Sequence, residues 1–492
     1  MNTPIQQPAG ESGWNAVLSD YLERMRLLHR QPELGRRALG VAGWDWRLWR
    51  AGREWLRQNP VAPGPAPATA GGDVYLATQI YAQGGHTALI GDFVRVLDGA
   101  GGGNSHVIVT NIIGHNKQSV AENIRHRLGV PPGNIVVLDG PSPAGRMEQL
   151  FRLLLALQPR RLFLFHHPED PLACVVAHPD CAPERILVHH ADGTPSFGLY
   201  LPGIRLIELN PIAAAMSRLA GLDPAWLPLT SPDPGPRPVG FLARGNLVTA
   251  SSGTQYKFTR PHPYGYAETL GRVLQTTGGW HLHVGPLDGE ILAGIHQALD
   301  RANVAADRFI HVPWAPSLVN CLWEHGCDLY LSSFPVDGAR TNIEVFASAT
   351  PHLRHTTKPD DPWIDGGLTW QTWDDLADTL GAMASRDALA ERSLRMRAAY
   401  DQYHHPHAFA NCLHDILATG TGRDDPREDT WDARVLRSMI KSLTSSLVKQ
   451  AGRMEVLEAE VMRMRAESGG QARARGIRAT LRKWLAGPSA DG

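Results

Sequence analysis

The chain has 492 residues, enough for roughly two to four domains at about 100–200 residues each. With 43% hydrophobic and 20% charged residues it can fill more than one core, which excludes a wholly disordered polymer. Its 48 Lys and Arg against 49 Asp and Glu leave a formal net charge of −1, so nothing in the charge balance suggests a general nucleic-acid binder.

Residues 14–58 read as helices. Trp14, Val17, Leu18, Tyr21, Leu22 and Met25 recur at three- and four-residue steps and form one apolar stripe. A second helix carries Trp44, Trp46, Trp49 and Trp55 among arginines. Such a stripe must be covered, by the following domain or by a partner. Residues 59–72, NPVAPGPAPATAGG, are a Pro-rich linker that supports neither helix nor sheet.

From residue 73 the pattern changes. Short apolar runs at 74–77, 107–110, 135–138, 162–165 and 186–188 alternate with helical spacing at 86–97, 117–128 and 145–157. Near-continuous apolar strands between helices imply a parallel sheet covered on both faces. This defines a Rossmann-like half over 73–228. After a second Pro-rich break at 229–237 the alternation restarts. Strands are expected at 238–242, 280–284, 308–312, 328–331 and 351–353, and helices at 264–276, 288–302, 315–325, 341–348 and 373–384. The second Rossmann-like half spans 238–420. The fold class is therefore α/β with two Rossmann-like domains, and a ligand is expected outside the carboxyl ends of their strands.

The C-terminal region differs again. Leu436, Ile440, Leu443, Leu447, Met454, Leu457, Val461 and Met464 keep heptad spacing, with Gln450 at the one polar core position. A coiled coil over 428–467, and with it a homo-oligomer, is the expectation. Residues 470–486 hold Arg473, Arg475, Arg478, Arg482 and Lys483 with no acid, and Ile477, Leu481, Trp484 and Leu485 share one face. That basic amphipathic tail suits a peripheral contact with an anionic membrane, or a partner. No run reaches about 18 apolar residues and the N-terminus has no apolar signal-like core, so a cytoplasmic location is expected. The five cysteines, 174, 181, 321, 327 and 412, contain no Cys-x-x-Cys pair and read as reduced thiols; no metal site is expected.

Four loops carry candidate chemistry. Gly84, Gly85 and His86 follow the first strand: the glycines permit close backbone approach, and a histidine there can serve as base or sugar-positioning group. His189 and His190, with Asp192, follow the 186–188 strand. Their spacing does not suit a metal, so they read as an acceptor or sugar loop, with Asp192 the second candidate base. In the second half, Gln255 and Lys257 lie on a loop after a strand, where a lysine supplies a point charge for a diphosphate. The most informative stretch is 308–351. A strand ends in Ser-Ser-Phe-Pro, a turn at Gly338 opens a helix, and Arg340 and Thr341 stand at its start. Free N–H groups, the helix dipole, the guanidinium and the hydroxyl would all meet a diphosphate, and Glu344 lies one turn deeper for ribose hydroxyls.

The 308–351 stretch resembles the corresponding segment of GT-B fold O-linked N-acetylglucosamine transferases and their bacterial protein-glycosylating relatives. Those share an Arg-Ile-Ile strand, Pro-x-Ala-Pro, Gly-His-Thr-Thr-x-x-Asp and Gly-x-Pro. The resemblance implies that Arg340 and Thr341 contact the diphosphate and Glu344 the ribose. It also implies that Gln255 and Lys257 hold the diphosphate and that His86 faces the reaction centre. Departures are visible: Ala339-Arg340-Thr341 replaces His-Thr-Thr, Glu344 replaces Asp, and no 34-residue repeat is present. Six residues separate Asp337 from Glu344, unlike the seven between the paired glutamates of retaining GT-B enzymes, which argues for inversion. The expected activity is metal-independent transfer from a nucleotide diphosphate sugar, UDP-linked, to a protein or surface-glycan acceptor, with no cofactor. A GT-B epimerase, or a coiled-coil scaffold with a degenerate body, are the alternatives.

Overall fold

In the computed structural model the described residues are 10–30, 39–60, 71–82, 84–99, 103–114, 122–190, 194–356 and 367–423. Most of the 59–72 linker, Asp192, the 428–467 coiled coil and the 470–486 tail lie outside them.

Two wholly parallel sheets form the body. The first holds β1 (Asp73–Ala77), β2 (His106–Val109), β3 (Ile135–Val137), β4 (Arg161–Phe165), β5 (Glu184–His189), β6 (Arg205–Glu208) and β7 (Pro224–Trp226), in the order β3-β2-β1-β4-β5-β6-β7. The second holds β8 (Val248–Ser252), β9 (Trp280–Val284), β10 (Phe309–Val312), β11 (Leu329–Leu331), β12 (His352–His355) and β13 (Leu368–Trp370), in the order β10-β9-β8-β11-β12-β13. Burial on both faces explains the apolar runs: every residue of β1, β2 and β4 is buried. An ion pair between Asp73 and Arg161 joins the amino ends of β1 and β4, and Arg161 Nε donates to Asp73 Oδ1 at 2.8 Å.

The expected strand at 238–242 is not formed. Phe241 and Leu242 instead lie in a turn against the second core. Arg237 stacks on Phe241 at 4.4 Å, Leu242 adopts φ 53°, and its N–H donates to Asp328 Oδ1 at 2.7 Å. The central strand is β8, whose sequence Val-Thr-Ala-Ser-Ser lacks an apolar signature. Its Thr249 and Ser251 are nevertheless buried, because Thr249 Oγ1 bonds the His281 ring at 2.8 Å and Ser251 Oγ donates to Leu331 O at 2.8 Å. Strands β6, β7 and β13 add to the expected set. So do helices Arg386–Ala399 and Pro406–Thr419.

The N-terminal helices Gly10–His29 and Ala42–Gln58 close one face of the first sheet. Trp14, Leu18 and Met25 join its core, and Trp55 stacks on Phe151 with centroids 5.0 Å apart. Gly52 is required at the crossing with helix Leu172–Val176, since a Cβ there would stand 2.2 Å from Val175 O. Beneath them Asp45 is buried, accepting from Tyr200 N at 2.9 Å, and burial pushes its carboxyl up to about 6.

The last helix crosses back. Chain position assigned it to the second half, yet Phe409, Cys412, Leu413 and Ile416 pack with Tyr75, Phe93 and Phe163 of the first. Arg205 Nη1 donates to Ile416 O at 2.7 Å and Leu417 O at 2.8 Å, which satisfies the end of that helix. A turn at Tyr400–His404 leads into it, and Tyr400 Oη donates to Ser231 O at 2.9 Å in the connection between the halves. All five cysteines are free and buried. No helix among the described residues is long and apolar enough to cross a membrane.

Two predictions follow from this packing. Phe409→Ala opens a cavity under Phe93 and should lower the unfolding free energy by about 3–5 kcal/mol, read by urea denaturation of the first half; a loss under 1 kcal/mol would contradict it. The second concerns pH. Burial holds His178, His283 and His352 near 4, His166 near 3 and His281 well below its ordinary value. These depressed groups stabilise the fold above pH 6.5, and that contribution is lost as pH falls towards 4. Asp45 and Asp170, each raised to about 6 by burial, oppose them. His86, His355 and His404, also near 4, add to these histidines, and Asp328 and Glu344, raised by burial, add to the acids. The histidines remain the majority, so unfolding takes up protons and stability should fall by at least about 1.4 kcal/mol from pH 6 to pH 5. A flat profile in urea titrations at the two pH values would contradict the assignment.

Candidate active site

Strand order reverses between β1 and β4 in the first sheet and between β8 and β11 in the second. In open parallel sheets such points are crevices, because the flanking connections leave to opposite sides. The loops at their carboxyl ends hold the sequence candidates.

After β1, Thr78 Oγ1 donates to Asp170 Oδ2 at 2.7 Å and Thr110 Oγ1 to the same oxygen at 2.5 Å, pinning the ends of β1, β2 and β4 together. Helix Gly85–Asp98 then begins. Gly84 has φ 104°, a conformation open to glycine, and no side chain caps the N–H groups that follow. Arg127 braces the loop, donating to Ala82 O and, at 3.0 Å, to Gly84 O.

His86 stands in the first turn of that helix. Its Nε2–H donates to Phe165 O at 2.7 Å, which leaves Nδ1 as a lone-pair acceptor without a partner among the described residues. Burial pushes the ring down to about 4, outweighing the backbone carbonyls of Phe165 and Gln79, which favour the cation. His190 packs on it with centroids 4.4 Å apart and donates from Nε2 to His166 O at 3.1 Å. Burial lowers His190 as well, so the pair is uncharged at neutral pH. His189 points elsewhere. It is buried with Glu208, and Nδ1 lies 3.0 Å from both carboxylate oxygens; Ser217 Oγ donates to Oε1 at 2.5 Å. The structure therefore joins His190 to His86 but places His189 in the strand-end packing rather than on the expected acceptor loop.

In the second half the Gln255–Lys257 turn follows β8, not the expected 238–242 strand. Gly253 and Gly285 cross so closely that a Cβ on Gly285 would stand 2.2 Å from Gly253 O. Gln255 Oε1 accepts from Asp288 N at 3.0 Å, and Lys257 Nζ donates to Asp337 O at 3.2 Å. The loops after β8 and β11 are thus one unit. Asp337 organises the second loop: Oδ1 accepts from Gly338 N at 2.7 Å, from Asn342 Nδ2 at 3.1 Å and from Ser332 Oγ, and Arg354 Nη1 lies 3.4 Å from Oδ2. Gly338 is fitted to this turn, since a Cβ there would meet Asn342 Oδ1 at 2.9 Å.

Helix Arg340–Ala347 opens at Ala339 with no side-chain cap, and Thr341 sits in its first turn. The two helix starts abut: a Cβ on Gly85 would lie 3.5 Å from Arg340 Cβ. Arg340 reaches across and donates to Asp92 of the first half, while its Nε lies 3.8 Å from Glu344 Oε1. Asp92, buried, also pairs with Arg95. Burial raises the Glu344 carboxyl against the pull of Arg340 and Arg127. Two positive helix ends, Arg127 and Arg340 therefore converge on one place, with Asp92 and Glu344 as the only carboxylates in direct contact with Arg340 among the described residues, while Lys257 sits on the adjoining loop against Asp337 O. Asp92 and Arg127 escaped the sequence reading. Asp92 sits inside an apolar helical run and Arg127 in a short basic one, and only the fold brings them together. Exposed aromatics also mark the strand ends: Tyr256 after β8 and Trp314 after β10, 51% and 61% exposed.

No family model matches the chain, and no curated protein matches it in sequence. Solved structures do match it. HepE of Anabaena in complex with UDP-glucose superposes with a TM-score of 0.51 at 13% identity, over 70% of this chain and 99% of HepE. The lipopolysaccharide outer core galactosyltransferase WaaB gives 0.50 at 10% identity, over 71% and 99%. A glycosyltransferase from Rickettsia africae gives 0.51 at 9% identity, over 70% and 97%. The chain has the GT-B fold.

The contact between Asp92 and Arg340 is testable directly. Its side chains are 6% and 12% exposed. Asp92→Ala should cost about 3–5 kcal/mol because it strands the guanidinium. In a double-mutant cycle with Arg340→Met the losses should be non-additive by at least about 1 kcal/mol; simple additivity would show that the halves are not coupled there.

Proposed function

We propose that the protein is a metal-independent glycosyltransferase that takes a sugar from a nucleotide diphosphate donor. The observation that carries the reading is the pair of uncapped helix starts meeting at Arg340, in the crevice where both sheets reverse strand order. The GT-B fold supports it, as do the UDP and UDP-glucose bound by HepE, and these favour a uridine nucleotide.

In this reading the second half holds the donor. The diphosphate lies on the N–H groups opening helix Arg340–Ala347, with Lys257, Arg340 and the Thr341 hydroxyl around it. Gly338 lets the backbone approach. Gln255 keeps the first loop in register, Glu344 takes ribose hydroxyls, and Trp314 offers a flat face to the base. The first half holds the acceptor against Gly84, Gly85, His86 and His190. The acceptor oxygen attacks the anomeric carbon and the bond from that carbon to the diphosphate oxygen breaks. The electron pair leaves with the nucleotide. Fixed cations and amides stabilise the charge that develops on it. The acceptor proton passes to the open Nδ1 of His86. Arg340 must exchange Asp92 for phosphate oxygens, so donor binding and the fit between the halves are linked.

UDP at 100 times its dissociation constant should stabilise the protein by about 2.7 kcal/mol. Thermal-shift measurements with UDP, GDP, CDP and dTDP should show one strong response, abolished by Lys257→Ala and reduced by Glu344→Ala. No response to any nucleotide would overturn the reading.

A further inference from the structure

The loop after β1 ends in a chain of hydrogen bonds that stops short. His167 Nε2 lies 3.3 Å from Tyr81 Oη, and Tyr81 Oη donates to Gln79 Oε1. The Gln79 amide is thereby oriented, with its Nε2 donor turned away from that bond. Gln79 is 3% exposed, and Nε2 has no partner among the described residues. Seven residues on, His86 donates from Nε2 to Phe165 O and keeps an unpartnered Nδ1 acceptor. An unmet buried polar atom is costly, and two on one loop, one donor and one acceptor, call for a group that supplies both. A hydroxyl does so: it accepts from the amide and donates to the imidazole.

The surroundings narrow the class. The rings of Tyr81, His86, His167 and His190 form a wall: Tyr81 and His167 stack with centroids 6.1 Å apart, and His86 lies 5.7 Å from His167. Tyr81 is 37% exposed, so its face is accessible. His86 and His190 are uncharged, and burial with the nearby Glu169 raises the Tyr81 phenol. Uncharged ring faces on a loop that also carries an unmet donor and an unmet acceptor match a pyranose, which presents C–H groups to aromatic faces and hydroxyls at its edge.

We infer that Gln79, Tyr81 and His86 form an acceptor subsite for a sugar hydroxyl, and that the acceptor is a carbohydrate rather than a polypeptide. The inference rests on the glycosyltransferase reading and adds the acceptor class. Gln79 is a specificity residue that the sequence did not single out. It fixes the hydroxyl, and Tyr81 fixes Gln79.

The test uses the full chain with the donor that thermal shift identifies. Release of nucleoside diphosphate is followed with methyl glucoside, galactoside, mannoside and N-acetylglucosaminide as acceptors, and with a Ser/Thr-rich peptide. At least one glycoside should accelerate release and the peptide should not. Gln79→Leu should lower kcat/KM for that glycoside about 10- to 100-fold while the dissociation constant for UDP stays within twofold. Tyr81→Phe, at a part-exposed position, should lower it several-fold with unchanged thermal stability. Transfer to the peptide, response to none of the glycosides, or full activity in both variants would overturn the inference. Failure of UDP, GDP, CDP and dTDP all to bind would instead overturn the glycosyltransferase reading beneath it.

Discussion

Arg340 stands between two carboxylates that belong to opposite halves of the molecule. Glu344 is on its own helix and Asp92 on the helix that opens the first half. A guanidinium this enclosed must be paired, and either partner can be exchanged for another anion of similar geometry. That single constraint explains why the two helix starts abut and why both turns are built on glycine. It also explains why the last helix returns to the first core, since the halves must be held near enough for Arg340 to span them. The positive ends of two helices would repel without the carboxylates between them. The same charges make the place suitable for a diphosphate.

The remaining loop chemistry serves stiffness. Asp337 collects donors from Gly338, Asn342 and Ser332, and Lys257 is tied to the carbonyl of the same residue. His283 Nε2 lies 3.3 Å from Gly253 O and steadies the turn before Gln255. In the first half, Asp170, beyond the end of β4, binds the ends of β1 and β2 through Thr78 and Thr110 and the start of helix Leu172–Val176 through the Leu172 N–H. Asp170, Ser332, Asn342 and His283 are buried, and Asp337 and Lys257 half-buried. They hold the groups left open, the helix N–H donors and the Gln79 and His86 atoms, in fixed positions, which is what preorganised electrostatic catalysis requires.

Much of the fold was legible because parallel strands buried on both faces must be apolar, as Leu-Phe-Leu-Phe at 162–165 is. Strand β8 was not legible. It is the centre of the second sheet, but Thr249 and Ser251 satisfy their hydroxyls internally and so erase the apolar run. Phe241 and Leu242 mimicked a strand because a linker anchored in a core is also apolar. In the candidate site, Gly338, Arg340 and Glu344 were singled out from a turn-then-helix pattern and Lys257 from its place on a loop after a strand, both of them local signals. Asp92 and Arg127 were not, because their partners lie far away in the chain: 248 residues separate Asp92 from Arg340. Gln79 was missed because no motif marks it, although its partner Tyr81 is only two residues on. His189 shows the converse, since adjacency to His190 suggested a shared role, while strand alternation sends the two rings to different places.

The most direct test of the account is a crystal structure of the full chain soaked with UDP. The diphosphate should lie over the first turn of helix Arg340–Ala347, within hydrogen-bond distance of Arg340 and Lys257, with Asp92 released from the guanidinium. A nucleotide bound elsewhere, or an Asp92–Arg340 pair unchanged beside a bound diphosphate, would contradict it.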